Sequence, residues 1–429
     1  MLLPIKIGGK LINRVKMDVE EEEEEDGEVE EKMDMKLKIE ENEKELGKAS
    51  LPNLTNLDDQ QLKELYTKLV EEAKIKIATN AELIIADPNE NISKFRILLK
   101  MAFGEDLTPL IREDIQKLST ATLSEVFVNI LPGYKIHTLT EVEKGQKMKK
   151  ETKRLASFEQ LLLQYYVKYL KFCEKTANKL FSTKIDHQNN LSFSAQFGIL
   201  CGKCLCLLLE KCSHFNYASN IISCLARLSL CKCKNLISFL PLSHIFFASN
   251  PGEILNHLVC VDQGWGGLLL DSICSAFSTM FADDCSLQIS LNGVKAISKL
   301  VEKKKAYVPA QLISTLLFLN IKEIDRDGTE AKRLKKEKLI KKKQLDKQIG
   351  KLENELLEAI ESKTFSTKLQ ISTQIMHNVF LIYFKILKRM PQTELLSPVL
   401  QGLSKFVHLI SIDFYDDLMQ HLGRLVEQK

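Results

Sequence analysis

Two kinds of side chain in this 429-residue sequence are spaced as though for chemistry. The first is cysteine. Eleven are present, an odd count, clustered between Cys173 and Cys285. Cys201-Gly-Lys-Cys204 is the only C-x-x-C pair. A tetrahedral zinc site would need two more ligands at a suitable second spacing. Cys212, His214, Cys231 and Cys233 are the candidates in range. A thioredoxin-type redox pair would need a strand before the motif, and none is visible. Leu200, Leu205, Leu207, Leu208 and Leu209 surround the pair in a helix-like run, which reads instead as buried structural thiols. The second kind is the basic cluster. Lys332, Arg333, Lys335 and Lys336 form one group, and Lys341, Lys342 and Lys343 another. They are candidates for a nuclear-localisation signal or for contact with RNA phosphates, a sequence-independent and salt-sensitive interaction. Their plain alternative is a solvated helix surface.

Nothing else carries chemistry. Phosphate-binding glycine loops, a nucleophile elbow and H-E-x-x-H are all absent. The eight His are scattered, and no RNP1-like stretch supports a known RNA-reading domain. No catalytic residue, cofactor or metal is assigned, and the chain reads as a non-enzyme.

The elements that hold these residues are helical. Only 18 Gly and 10 Pro occur, well below usual shares of about 7% and 5%. Apolar residues make up 45%, enough for a real core. The net charge of +3 hides strong segregation. From Asp18 to Glu31, 11 of 14 residues are acidic; from Ala331 to Lys351, 10 are basic and 2 acidic. No stretch of 18 apolar residues is free of charge. The nearest, Leu236 to Phe247, is short and interrupted by Pro241. The N-terminus lacks the apolar region of a signal peptide. A soluble intracellular protein with reduced thiols is expected.

Periodicity divides the chain. Residues 1–53 read as a disordered acidic tail, and 54–133 as N-terminal helical repeats. Leu62, Leu65, Leu69, Ala73 and Ile77 form the buried face of a first helix, with Asn56 as its cap and Asp87-Pro88 as its stop. A short second helix carries Ile92 to Leu99, a third Leu107 to Leu118, and a fourth Leu123 to Ile130, ended by Pro132-Gly133. Residues 134–226 begin extended at Tyr134 to His137. The capping box Thr140-Glu-Val-Glu143 then opens a long helix, basic at first and later aromatic, running to about Lys179. Its aromatic residues Phe158, Tyr165, Tyr166 and Tyr169 read as core rather than as a base-stacking platform. A mostly buried helix follows over Ser192 to Cys212, and another begins near Asn216.

The window 227–267 loses its period. Residues 268–328 are helical repeats again, including Pro309 to Asn320. Residues 329–363 form a long basic helix with a coiled-coil seam at Leu345, Ile349, Leu352, Leu356 and Ala359. Residues 364–429 hold C-terminal repeats over Ile371 to Lys388, Val399 to Ile410 and Phe414 to Val426. The expected fold is all-α: a HEAT/armadillo-like helical repeat array with a long basic coiled-coil-like helix and a disordered acidic N-terminus. No fixed repeat period is found.

Several long segments resemble the nucleolar complex protein 3 family. They are Pro132 to Lys144 followed by Lys150 to Glu159, then His214-Phe-Asn-Tyr217 with Asn220 to Ile222. Further on come Asn378 to Lys388, Gly402 to Ile410 and Asp413-Phe-Tyr-Asp-Asp-Leu418. The resemblance covers most of 54–226 and 270–426. It implies a scaffold in large-subunit ribosome biogenesis, acting on pre-60S particles and pre-rRNA in the nucleus and nucleolus. It also implies nucleolar complex protein 2 as partner, and a role with replication-origin factors in DNA replication initiation. No membrane is implied.

Compared with the family, the basic N-terminal region is reduced and the helices beyond Asp413 to Asp417 are missing, so the chain reads as truncated. The window 227–267, with the sole Trp265, is unmatched and reads as a translated intron or gene-model artefact. The alternative to an assembly scaffold is a HEAT-type nuclear transport or replication adaptor. A zinc or redox protein built on Cys201 and Cys204 is the third reading.

Overall fold

The computed structural model describes residues 5–7, 10–12, 58–137, 149–181, 193–231, 269–304, 308–321, 350–389, 394–409, 418–420 and 422–423. The chain divides into two compact units, 1–65 and 66–429. In the first, β1 (Ile5–Ile7) pairs antiparallel with β2 (Lys10–Ile12), with Ile5 opposite Ile12. Gly8 and Gly9 lie between them, a composition favoured in two-residue hairpin loops. The sequence reading of 1–53 did not anticipate this ribbon, and the rest of that segment lies outside the described residues.

Helices make up most of the remaining described residues, as the scarcity of Gly and Pro predicts. α1 spans Asp59–Ala86 and α2 Pro88–Asn91. Asp87 ends the first and caps the second, its Oδ1 accepting from the amides of Asn89 and Glu90. After a 3₁₀ turn over Ile92–Lys94 come α3 (Phe95–Phe103), α4 (Arg112–Ile130), α5 (Lys150–Asn178), α6 (Phe193–Cys212) and α7 (Ala218–Leu228). Then follow α8 (Leu269–Asp283), α9 (Gln288–Lys304) and α10 (Ala310–Ser314), which passes into a 3₁₀ turn over Thr315–Phe318. α11 (Gly350–Arg389) and α12 (Leu396–Phe406) complete the described helices.

In the second unit, contacts step along the chain. α3 packs on α4; α4 and α5 pack on α6; α6 on α7 and α8; α7 on α9; α9 on α11; and α10 and α11 on α12. The hub is α6. Among the described helices it alone is long and apolar enough to cross a membrane. Instead, protein surrounds it: 14 of its 20 residues are buried. Such burial on every side needs small residues at the closest approaches. A Cβ added at Gly198 would stand 2.9 Å from Leu180 Cγ and 3.3 Å from the Thr176 carbonyl oxygen. One added at Gly202 would stand 2.8 Å from Leu269 Cδ1.

An aromatic chain ties the N-terminal helices of this unit together. Phe95 stacks on Phe127 at 4.9 Å, Phe127 meets Tyr166 and Tyr169 at 5.3 Å, and Tyr166 meets Phe215 edge-on at 5.3 Å. Each such pair contributes about 0.5–1.5 kcal/mol beyond its area. Tyr166 and Tyr169 are wholly buried, with Phe158 and Tyr165 packed at the edge, so the core reading of these four aromatics holds. At the start of the unit, Tyr66 donates to Asp114 at 2.7 Å, joining α1 to α4. Burial, reinforced by that bond, pushes its hydroxyl up to about 12.

Several boundaries differ from the sequence reading. The third and fourth helices are one, α4. Between Leu118 and Leu123 lie Ser119, Thr120, Ala121 and Thr122, small enough to be buried. Thr122 bonds back to the Leu118 carbonyl, and Ser119 reaches across to that of Leu98. The long aromatic helix does not run unbroken from Thr140, because Lys149 is extended and α5 starts at Lys150. Lys149, Lys150, Lys153 and Arg154 crowd like charges at that start, and every residue from Lys149 to Leu155 is exposed. The capping box lies outside the described residues.

On α1 the buried stripe runs Val70, Ala73, Ile77, Ala81 and Ile84, whereas Leu62, Leu65 and Leu69 are only half-buried. The periodic run from Leu268 to Leu300 is two helices, broken at Asp284. That carboxylate takes the amides of Ser286 and Leu287 on one oxygen and the amide of Ser290 on the other, so it caps α9. α11 joins the end of the expected coiled-coil helix to the expected Ile371–Lys388 helix. It is 40 residues long, or about 60 Å. No Gly or Pro interrupts it between Lys351 and Arg389.

Replacing Gly198 by Leu should destabilise the protein by about 1–3 kcal/mol or more, because backbone as well as side chain stands in the way. Gly133→Ala, which meets nothing within 4 Å, should leave the melting temperature unchanged. Thermal denaturation of the two variants checks the contrast.

Candidate functional site

Cys201 and Cys204 both lie on α6 with no exposed surface. Cys204 directs its thiol at the Thr120 carbonyl, 3.9 Å away, and Tyr169 donates to the same oxygen at 2.9 Å. One carbonyl of α4 thus gathers α5 and α6. Burial pushes the thiols of Cys173, Cys204 and Cys206 well above their ordinary range, and that of Cys212 to about 11. A thiol held protonated is neither a nucleophile nor a metal ligand. His214 turns away from Cys212, its Nε2 lying 3.2 Å from the Pro132 carbonyl. Cys231 faces the Leu180 carbonyl at 3.7 Å. Among the described residues, no group of three His, Cys, Asp or Glu converges as metal ligands would. The buried-thiol reading of the C-x-x-C pair holds.

The basic candidates Lys332, Arg333, Lys335, Lys336, Lys341, Lys342 and Lys343 lie outside the described residues, as does 232–268. Arg227 to Cys231, read with the unmatched window, finish α7 and its turn. Arg227 pairs with Glu174 of α5 at 2.7 Å, and Leu228, Ser229 and Cys231 are buried.

What the fold brings together is two of the segments that carry the family resemblance. Pro132 to His137 leaves α4 without regular structure, bending at Gly133 and at Tyr134, where the sequence suggests the start of an extended stretch. It lies against His214 to Tyr217, the turn between α6 and α7. The Asn216 amide makes two bonds to one residue: its Oδ1 accepts from the Ile136 amide and its Nδ2 donates to the Ile136 carbonyl, both at 2.9 Å. The side chain copies the pairing of a neighbouring strand. Ile136 and Phe215 turn inward and are buried. Tyr134 and Tyr217 stay outward, 54% and 41% exposed. Tyr134 donates to Glu159 of α5 at 2.5 Å. Tyr217 sits at φ 65°, in the left-handed region, and opens α7. Sequence spacing could not show this junction, because its halves are 80 residues apart.

This geometry is that of a helical protein with an ordered, partly aromatic surface junction and no reactive centre among the described residues. Comparison with known proteins agrees on a family. The family model described as nucleolar complex-associated protein matches residues 72–169, from α1 into α5. The nucleolar complex protein 3 homolog of Caenorhabditis briggsae is 36% identical over 396 residues, covering 89% of this chain and 46% of its own. The human homolog is 33% identical over 373 residues, covering 84% and 42%. The Schizosaccharomyces pombe nucleolar complex-associated protein 3 is 28% identical over 445 residues, covering 99% and 51%. The chain belongs to the nucleolar complex protein 3 family, and it spans about half the length of the curated relatives it matches.

Asn216→Ala should cost about 1–3 kcal/mol, since it strands both polar groups of the Ile136 backbone. It should also speed tryptic cleavage after Lys135, which limited proteolysis would read. For the thiols, alkylation of the native protein should mark the exposed Cys285 and spare Cys173, Cys201, Cys204 and Cys206 until denaturant is added. Peptide mass spectrometry distinguishes the two outcomes.

Proposed function

We propose that this chain is a non-enzymatic scaffold for ribosome assembly in the nucleolus, acting on pre-60S particles and pre-rRNA. One observation carries the reading. The chain matches proteins named for a nucleolar complex along 84–99% of its length, including the two segments that the fold locks together at Asn216. The helical order described above suits the role. A helix stack with neighbour-to-neighbour contacts is the architecture of HEAT and armadillo arrays, which bind through extended faces rather than pockets. In this proposal the chain is such an array, with a basic coiled-coil-like helix over 329–363 and an acidic segment over 18–31. Nucleolar complex protein 2 is the proposed protein partner, and pre-rRNA the proposed nucleic acid. Contact with replication-origin factors is a further role proposed from the resemblance.

Affinity purification of the tagged chain from nuclear extract tests the proposal. Nucleolar complex protein 2 and large-subunit pre-rRNA should co-purify. Recovery of neither, or of origin or transport factors alone, would overturn it in favour of an adaptor role.

A further inference from the structure

The face of α5 turned away from the core carries a row of lysines that the sequence reading passed over. Lys168, Lys171 and Lys175 follow at steps of three and four residues, and all are exposed. At 3.6 residues per turn they stand within a sector of about 60°, along a rise of about 10 Å. Exposed Lys153, Ser157, Gln160 and Gln164 extend the same side toward the N-terminus. No acid lies in the row. The two nearest carboxylates of α5 are engaged elsewhere: Glu159 accepts from Tyr134, and Glu174 pairs with Arg227. At one end of the row, the Lys168 ammonium lies 5.7 Å from the Tyr165 ring centroid. Arg96 of α3 is close enough to act on the same tyrosine and adds a cation there.

The row is rigidly held. The opposite side of α5 buries Leu162, Tyr166, Tyr169, Cys173 and Ala177. The backbone positions of the row are therefore fixed, while the exposed ammonium groups move on flexible stems. Its chemistry narrows the partner. A protein interface of useful strength needs apolar or aromatic anchors at its centre, and this row has none. Base readout or stacking on single strands needs exposed aromatic rings, whereas the aromatics of α5 turn toward the core. Evenly spaced point charges with amide donors among them suit a continuous chain of phosphates.

We propose that Lys168, Lys171 and Lys175 of α5 form a docking surface for the RNA phosphate backbone, bound without sequence preference. The choice of RNA among polyanions rests on the assembly role proposed above; the surface itself rests on α5.

The test uses the purified full chain and a fluorescent single-stranded RNA of mixed sequence. Anisotropy is followed between about 50 and 200 mM salt, the range over which phosphate contacts lose their strength. The variant Lys168→Gln/Lys171→Gln/Lys175→Gln should bind at least about tenfold more weakly. Its slope of log affinity against log salt should be shallower by about 2, near 0.7 for each lost phosphate contact. Circular dichroism should be unchanged. The comparison variant Lys341→Gln/Lys342→Gln/Lys343→Gln should keep the contribution of α5. Unaltered affinity and slope in the first variant would overturn the proposal. So would binding of a Glu-rich peptide with no binding of RNA. Nucleolar co-purification can succeed or fail independently of this result, so the two proposals fall separately.

Discussion

Everything in the larger unit depends on burying α6 from all sides. α6 bears Phe197, Leu200, Leu205, Leu208 and Leu209, all buried, and only Ser194 and Lys211 near its ends are exposed. Each fully buried side chain of this size contributes about 1.5–3 kcal/mol, provided that neighbours close over it. Closure requires α5, α7 and α8 to approach within a side chain's breadth, which Gly198 and Gly202 permit. The same requirement explains the C-x-x-C pair. Cys201 and Cys204 are compact, weakly polar fillers at a helix crossing, and the Thr120 carbonyl gives the Cys204 thiol a partner there. Their burial removes the reactivity that their spacing suggests.

Once α6 is enclosed, the outer helices have fixed positions, and what remains available for contact is their outward faces. The junction of Pro132 to His137 with His214 to Tyr217 is an example. Its inner residues, Ile136 and Phe215, belong to the core, and Asn216 satisfies a backbone that has no strand beside it. Tyr134 and Tyr217 are left outside in set positions. A protein organised this way has outward faces of defined shape and charge.

Much of the fold could be read from the sequence, for physical reasons that also mark where reading fails. Burial of α6 was legible because its apolar residues far outnumber the polar Gln196, Lys203 and Glu210 that recur along one side. The core placement of Tyr166 and Tyr169 was legible from their spacing along an otherwise apolar face. Breaks without Pro or Gly were not. The Asp284 turn depends on one carboxylate serving three amides, and the unbroken α4 depends on hydroxyls that bond within or between helices instead of ending one. The stripe on α1 was misplaced by its first leucines, since the partners that bury Val70 to Ile84 come from elsewhere in the chain. The Asn216 junction needs knowledge of a contact across 80 residues. The lysine row on α5 was written in plain spacing, yet its meaning appears only once Glu159 and Glu174 are seen to be committed elsewhere.

Native-state hydrogen exchange tests the role of α6 most directly. The amides of Phe193 to Cys212 should be the slowest in the chain and should open only with global unfolding, with the free energy of denaturation. Exchange of these amides as fast as that of the exposed first turns of α5 would mean that the helix is not the enclosed pillar on which the surrounding surfaces are built.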